Sequence, residues 1–116
     1  MKIITVCGSL RYKKEIMEIT EKLTLLGHCT LSPIFPADPD KNFYTDDERN
    51  MLGAMHKERI KISDAILVAD IDNYIGDATM SEIELAKALN KEIIYYTDII
   101  NGRRTIGPAL KNGDMI

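Results

Sequence analysis

The chain has 116 residues and a formal net charge of -3 at pH 7, with 45% hydrophobic and 28% charged residues. This length corresponds to one domain, and the composition is that of a globular protein without disorder or repeats. The negative charge and the lack of a basic stripe argue against a nucleic acid polymer as partner, because binding its backbone requires clustered Lys and Arg.

The first residues contain a short apolar run that turns into Gly8 and Ser9, which predicts a first strand rather than a signal peptide. No apolar run approaches the roughly 20 residues that a membrane span needs. Cys7 and Cys29 are far apart and form no CxxC motif, so the sequence indicates neither a disulfide scaffold nor a metal site. We therefore expect a cytoplasmic protein that binds no membrane and no metal ion.

Strands and helices alternate along the first half of the chain. Residues 2–7, KIITVC, predict a strand that ends at Gly8. Apolar residues then recur at helical spacing until Gly27. Residues 29–35 predict a second strand, and residues 36–44, with two prolines, predict a loop.

The second half repeats the alternation. Thr45 and Glu48 form a capping-box pattern, which predicts the start of a second helix. The continuous apolar run 65–70, AILVAD, is typical of a strand that is covered on both faces. A third helix is expected to end at about Leu89, and residues 92–97, EIIYYT, predict a fourth strand.

Residues 101–116 are expected to form a largely irregular tail. Residues 1–116 as a whole are expected to form one domain. The alternation predicts an α/β fold with a small, doubly wound parallel sheet of about four to five strands and helices on both faces. Such sheets bind ligands beyond the carboxyl ends of their strands, where the strand order reverses. This rule selects two loops, CGSLR at 7–11 and DIDNYIGDAT at 70–79.

The loop CGSLR has the features of an anion site. Gly8 allows the backbone to approach a ligand, Ser9 supplies a hydroxyl group, and the N–H groups around Leu10 lie at a helix start. Arg11 adds a planar, charged fork that is suited to phosphate. These residues predict a phosphate or carboxylate pocket, but they also fit a tight turn with Ser9 as its N-cap.

Glu82 is the main candidate for chemistry in the second half. Thr79 and Glu82 repeat the capping-box pattern, so a helix cap is the structural alternative. If the glutamate faces the cleft, a helix start would keep it ionised, and the carboxylate could attack an anomeric carbon. Asp72 and Asp77 are candidates for handling the proton of the leaving group, or are turn residues in a loop that contains glycine.

Three further residues have open roles. His56 has an ordinary pKa that suits an acid or a base, but a single histidine on a helix also fits a packing role. Tyr74 fits either stacking on a base or covering the loop. Gly76 belongs to the same loop.

Together, CGSLR, SDAILVAD and YIGDATMSEIELAKALNKEIIYY resemble the nucleoside 2-deoxyribosyltransferase superfamily, which includes the 2'-deoxynucleoside 5'-phosphate N-hydrolases. The resemblance covers residues 3–97. It implies a flavodoxin-like or Rossmann-like fold, usually a homo-oligomer of two or more subunits. It also implies cleavage or transfer at the N-glycosidic bond of a nucleoside or nucleoside 5'-monophosphate without a cofactor. By position, Glu82 matches the nucleophile, and Gly8, Ser9 and Arg11 match the loop that holds the 5'-phosphate.

Two positions differ from the pattern of that superfamily. Near the end of the first strand, where the superfamily has a tyrosine bonded to the nucleophile, this chain has Thr5. Before the third strand, where it has a catalytic aspartate, this chain has His56. We expect His56, Asp72 or Asp77 to take the proton-transfer role. The alternatives are a non-catalytic nucleotide-binding module of the same fold and an FMN-binding flavin reductase, whose opening strand and GSLR loop are similar.

Overall fold

The computed structural model describes residues 1–38, 40–41 and 43–106. Its strands are β1 Ile3–Cys7, β2 Cys29–Leu31, β3 Ala65–Val68 and β4 Glu92–Tyr95. Its helices are α1 Lys13–Leu25, α2 Asp46–Ile62, α3 Asp77–Ala88 and α4 Tyr96–Ile100, with 3-10 turns at Leu10–Tyr12 and Ile71–Asn73. The described helices include none that is long and apolar enough to cross a membrane. Most of the predicted tail, residues 107–116, lies outside the described residues.

The strands form one parallel sheet with the order β2-β1-β3-β4. The chain order reverses at β1, which pairs with β2 on one side and with β3 on the other. The register aligns Cys7 with Val68, and Val68 with Tyr95, so three neighbouring strands end together. This arrangement confirms the predicted doubly wound sheet and places its switch point between β1 and β3.

Helices cover both faces of the sheet. Successive residues of each strand point to opposite sides, so each strand contributes side chains to both layers. On one face, Ile4 and Val6 of β1 pack with α1 and with Ile99 of α4. On the other face, Cys7 of β1 and Val68 of β3 pack with residues of α2 and α3. The buried core therefore lies in two layers, one on each side of the sheet.

Two strands are shorter than predicted. β2 ends at Leu31 instead of continuing to residue 35, since Pro33 cannot donate to a neighbouring strand. β4 ends at Tyr95, and α4 follows at once. The backbone N–H of Thr97 donates to the buried Asp70 carboxylate at 2.9 Å, and the Thr97 hydroxyl donates to the Asp70 carbonyl at 3.1 Å. These bonds hold the start of α4 against the end of β3.

The two predicted capping boxes have different outcomes. In α2 the Glu48 N–H donates to the Thr45 hydroxyl at 3.1 Å, and the Thr45 N–H donates to the Glu48 carboxylate at 2.9 Å. By contrast, α3 begins at Asp77 after Gly76, and no side chain of the described residues caps it. Glu82 thus lies in the second turn of α3, so the helix-cap alternative for Glu82 is wrong.

Gly8 allows the loop after β1 to pack against the end of β3. A Cβ atom at this position would lie 3.1 Å from the Cβ atom of Ala69 and 3.2 Å from the Cδ1 atom of Ile16. Both distances are shorter than ordinary van der Waals contact. A side chain at Gly8 would therefore push the loop away from the sheet.

We expect Gly8→Ala to lower the free energy of unfolding by about 1 to 2 kcal/mol, because the methyl group overpacks this contact. Gly53→Ala is the matched control, since nothing lies within 4 Å of the Cβ position at Gly53 in the middle of α2. It should raise the free energy of unfolding by about 0.5 to 1 kcal/mol through helix propensity. Urea unfolding measures both, and an unchanged Gly8→Ala midpoint would contradict the close packing.

Candidate functional site

A cleft of about 440 Å³ opens beyond the carboxyl ends of the strands, at the switch point of the sheet. This volume falls in the range of roughly 300 to 1,000 Å³ that is usual for small-molecule sites. The cleft is lined by the loop after β1, the middle of α2, and the start of α3 with the residues before it. The sequence-predicted residues that line it are Gly8, Ser9, Leu10, His56, Tyr74, Gly76, Asp77 and Glu82.

Two predicted residues do not line the cleft. The Cζ atom of Arg11 lies 4.7 Å from the centroid of the Tyr74 ring, a cation–π contact beside the cleft. Asp72 is exposed in the 3-10 turn after β3 and has a φ of 53°, a left-handed conformation that aspartate tolerates in turns. Asp72 is therefore a turn residue, and Arg11 packs on a residue that lines the cleft.

Ser9 is the N-cap of the turn after β1, which is one of the two roles that the sequence allowed. Its hydroxyl oxygen accepts a hydrogen bond from the Arg11 N–H at 3.3 Å, which caps the turn Leu10–Tyr12. Ser9 and Leu10 also line the cleft. The turn is therefore compatible with an anion site, because the same loop is both capped and open to a ligand.

Sequence reasoning missed one face of α2. Arg49, Leu52 and Gly53 line the cleft, and they precede His56 by seven, four and three residues. Residues at these spacings share one side of a helix, so counting back from His56 would have found them. Arg49 brings a cation to the cleft and forms an ion pair with Asp46 at the surface.

Glu82 lies at the floor of the cleft with its side chain only 13% exposed. Burial raises its pKa from the ordinary value of 4.5 to about 7, and a hydrogen bond from the Cys7 thiol and the charge of Lys57 oppose this effect. The helix start was expected to keep Glu82 ionised, but burial has the larger effect. Glu82 lies in the second turn of α3, and the macrodipole acts mainly on the first turn. Near neutral pH the carboxyl group is therefore divided between its two protonation states.

Cys7, at the end of β1, is the strand residue that contacts Glu82. Its thiol is fully buried, and its pKa is raised by burial and by the adjacent Glu82 carboxyl group. Thr5 faces the same side of the sheet but lies about 7 Å further from the strand end, given the rise per residue. The Thr5 hydroxyl instead bonds to the Ser63 hydroxyl. The expectation that Thr5 occupies the position beside the nucleophile is therefore wrong, and Cys7 occupies it.

His56 is buried between Arg59 and Glu82, with 7% of its side chain exposed. Its Nδ1 atom lies 3.2 Å from Nη1 of Arg59, and its Nε2 atom lies 3.8 Å from Oε1 of Glu82. Burial lowers the pKa of His56 to about 4, and the charge of Arg59 lowers it further. A hydrogen bond with the Val6 backbone acts in the opposite direction. His56 is therefore neutral at physiological pH.

Cys7, His56 and Glu82 offer one sulfur, one nitrogen and one oxygen atom that lie within 4.8 Å of one another. Thiolate, imidazole and carboxylate groups are the usual ligands of zinc. However, Nδ1 of His56 already faces the Arg59 guanidinium at 3.2 Å, and this cation lies beside the three groups. A divalent cation bound by these three groups would therefore lie near a guanidinium group of like charge, which disfavours it.

Two enzymes are among the solved structures that resemble this one. The 2-deoxyribosyltransferase of Bacillus psychrosaccharolyticus superposes with a TM-score of 0.61 at 22% identity, over 80% of this chain and 70% of the other. The Clostridium botulinum CMP N-glycosidase BcmB superposes with a TM-score of 0.55 at 22% identity, over 96% and 84%. The chain has the fold of these two enzymes. No protein-family model matches the chain, and no curated protein matches its sequence.

This likeness confirms, at the level of the fold, the resemblance found in the sequence. At 22% identity it does not by itself extend to activity.

We expect Glu82→Gln to stabilise the protein at pH 8 by about 2 to 3 kcal/mol, because the amide removes a buried negative charge. The native carboxyl group binds its proton more tightly than the unfolded chain does. Wild-type stability is therefore lost as pH rises from about 4.5 to about 7, and the advantage of the variant grows over the same window. Urea unfolding at several pH values measures it.

Glu84→Gln on the same helix is the matched control, since Glu84 is exposed and its substitution should change stability little at any pH. Below about pH 4.5 the two variants should both match the wild type. A gain for Glu82→Gln that does not depend on pH would contradict the raised pKa of Glu82.

Proposed function

We propose that the protein cleaves the N-glycosidic bond of a 2'-deoxynucleoside 5'-monophosphate, with Glu82 as the nucleophile. The observation that supports this is the position of the Glu82 carboxylate, which lies at the floor of the cleft and has no capping role. The two structures with the same fold are a 2-deoxyribosyltransferase and a CMP N-glycosidase, and both names denote chemistry at this bond. Site and fold therefore favour the same reaction class.

The reaction would proceed in two displacements. In the first, a Glu82 oxygen attacks C1' of the sugar, the bond between C1' and the base breaks, and the base keeps the electron pair and takes up a proton. In the second, water or another base attacks C1' and releases the Glu82 carboxylate. The partial burial of Glu82 limits competition from solvent in the first step.

Glu82 must be ionised to attack. The Cys7 thiol donates a hydrogen bond to the carboxylate, which favours the ionised form against the effect of burial. A pKa of about 7 leaves a large fraction of Glu82 ionised at neutral pH. The site therefore has a carboxylate that is both available and weakly solvated, which strengthens it as a nucleophile.

The other groups of the cleft would position the substrate and handle its proton. Ser9 and the N–H groups around Leu10 would hold the 5'-phosphate, with Arg49 on the facing helix and Arg11 at the rim. Tyr74 would stack on the base. Asp77, exposed at the start of α3, and His56 are the candidates for assisting departure of the base.

Glu82→Ala is expected to lower the rate of base release from deoxynucleoside 5'-monophosphates by about 10³-fold or more, because it removes the nucleophile. Chromatography of the free base over a panel of nucleosides and monophosphates measures the rate. Glu84→Gln is the control on the same helix and should keep the wild-type rate. Unchanged turnover by Glu82→Ala would remove Glu82 from the mechanism.

The raised pKa of Glu82 also favours a second candidate, a nucleotide-binding module without turnover, because a carboxyl group that is partly protonated is a poorer nucleophile. Thermal stabilisation of the wild type by monophosphates, with no base release, would support the module. A yellow preparation that holds FMN would instead support the flavin-binding alternative.

We expect deoxynucleoside 5'-monophosphates to be preferred over the unphosphorylated nucleosides, and Arg49→Met to reduce this preference about tenfold through the loss of one charged hydrogen bond. The ratio of the two kcat/KM values measures the preference. Lys87→Met, which removes an exposed cation at the far end of α3, is the control and should leave the ratio unchanged. An equal loss for both substrates would place the Arg49 contact elsewhere than on phosphate.

A further inference from the structure

His56 has two ring nitrogens in different surroundings. Nδ1 faces the Arg59 guanidinium at 3.2 Å, and Nε2 faces Oε1 of Glu82 at 3.8 Å. Nε2 is fully buried and has no hydrogen-bond partner among the described residues. One nitrogen is thus engaged within α2, and the other points to the floor of the cleft.

Arg59 decides which nitrogen carries the proton. A guanidinium group has five N–H donors and no acceptor, so Nδ1 can bond to it only through its lone pair. Because the ring is neutral, its one proton must then lie on Nε2. Arg59 follows His56 by three residues on α2, a spacing that brings side chains together. Within the described residues Arg59 forms no ion pair with a carboxylate, so this contact has no competing anionic partner.

We infer that Arg59 is a positioning residue, which fixes His56 as the Nε2–H tautomer so that His56 donates a hydrogen bond to Glu82 and does not act as a proton-accepting base. The inference concerns the same site as the proposed function and deepens it. On this inference His56 is a hydrogen-bond donor and does not have the acid–base role that the sequence also allowed.

The groups packed around Glu82 support a donor role. Cys7 reaches the carboxylate from β1 through its thiol, His56 faces it from α2, and Lys57 favours its ionised form by charge. Within the described residues Glu82 is the one carboxylate that forms an ion pair with His56 Nε2, and the Val6 backbone is a second acceptor beside the ring, through a hydrogen bond that raises the pKa of His56. The distance from Nε2 to Oε1 must shorten by about 0.8 Å to reach the usual length of a hydrogen bond.

Such shortening would accompany the reaction, since catalytic hydrogen bonds are often long before substrate binds. On the proposed function, negative charge returns to Glu82 when the sugar leaves it, and a donor at Nε2 stabilises that charge. His56 keeps its proton throughout. The proton for the departing base then comes from Asp77 or from solvent.

The first test needs no activity. Nitrogen-15 NMR of the imidazole rings reports which nitrogen carries the proton, and the chain has two histidines, His28 and His56. Nδ1 of His28 accepts from the Lys2 backbone N–H and not from a guanidinium group, so His28 is an internal control. We expect the proton of wild-type His56 on Nε2. A proton on Nδ1 would overturn the inference without any variant.

Variants of Arg59 provide the second test. Arg59→Met should shift the His56 tautomer toward a mixture and raise the pKa of His56 from about 4, because the nearby positive charge is lost. Arg59→Lys keeps a donor and should restore the tautomer. Lys61→Met removes an exposed charge from the same helix and should change neither readout. An Arg59→Met protein with the wild-type tautomer and pKa would overturn the inference.

The kinetic test rests on the proposed function. If the wild type releases base from monophosphates, Arg59→Met should lower kcat about tenfold with little change in KM, and Arg59→Lys should recover most of it. If kcat is unchanged while the tautomer shifts, the donor role of His56 is overturned. If the wild type releases no base, the proposed function fails, and the NMR result alone decides whether Arg59 fixes the His56 tautomer.

Discussion

The parallel register of β1 and β3 is the constraint on which the site depends. Because Cys7 pairs with Val68, both strands end at the same level, and the loops that follow them open on the same side. The side-chain alternation of β1 turns Cys7 toward the α2 and α3 layer. A register shift of one residue would turn the Cys7 thiol to the other face and remove it from Glu82.

The site combines a buried acid with two neutral neighbours and the charge of Lys57. Glu82 loses most of its hydration, a neutral thiol supports it from β1, and His56 beside it is neutral as well. Such a carboxylate costs stability whenever it is ionised, and proteins keep costly groups of this kind mainly where they act. The structural carboxylates differ from it, because Asp70 bonds to the start of α4 and Glu48 caps α2.

The sequence predicted the elements well where a local pattern fixes them. The α2 capping box is confirmed at Thr45 and Glu48, and the continuous apolar run before Asp70 is β3. The same local pattern failed at Thr79, since the N-cap of α3 is Gly76, three residues before Thr79, and the helix buries this threonine in its first turn. A capping box depends on where the helix begins, and a pattern of four residues does not determine that position.

The sequence by itself determined the alternation of strands and helices, the two loops at the switch point, and most of the residues that line the cleft, because period and turn chemistry are local properties. The tertiary structure alone decided that Cys7, and not Thr5, meets Glu82, that Asp72 lies outside the cleft, and that Arg59 contacts Nδ1 of His56. These contacts join β1, α2 and α3, which are far apart along the chain. Sheet register and helix packing bring them together, and no local spacing encodes either one.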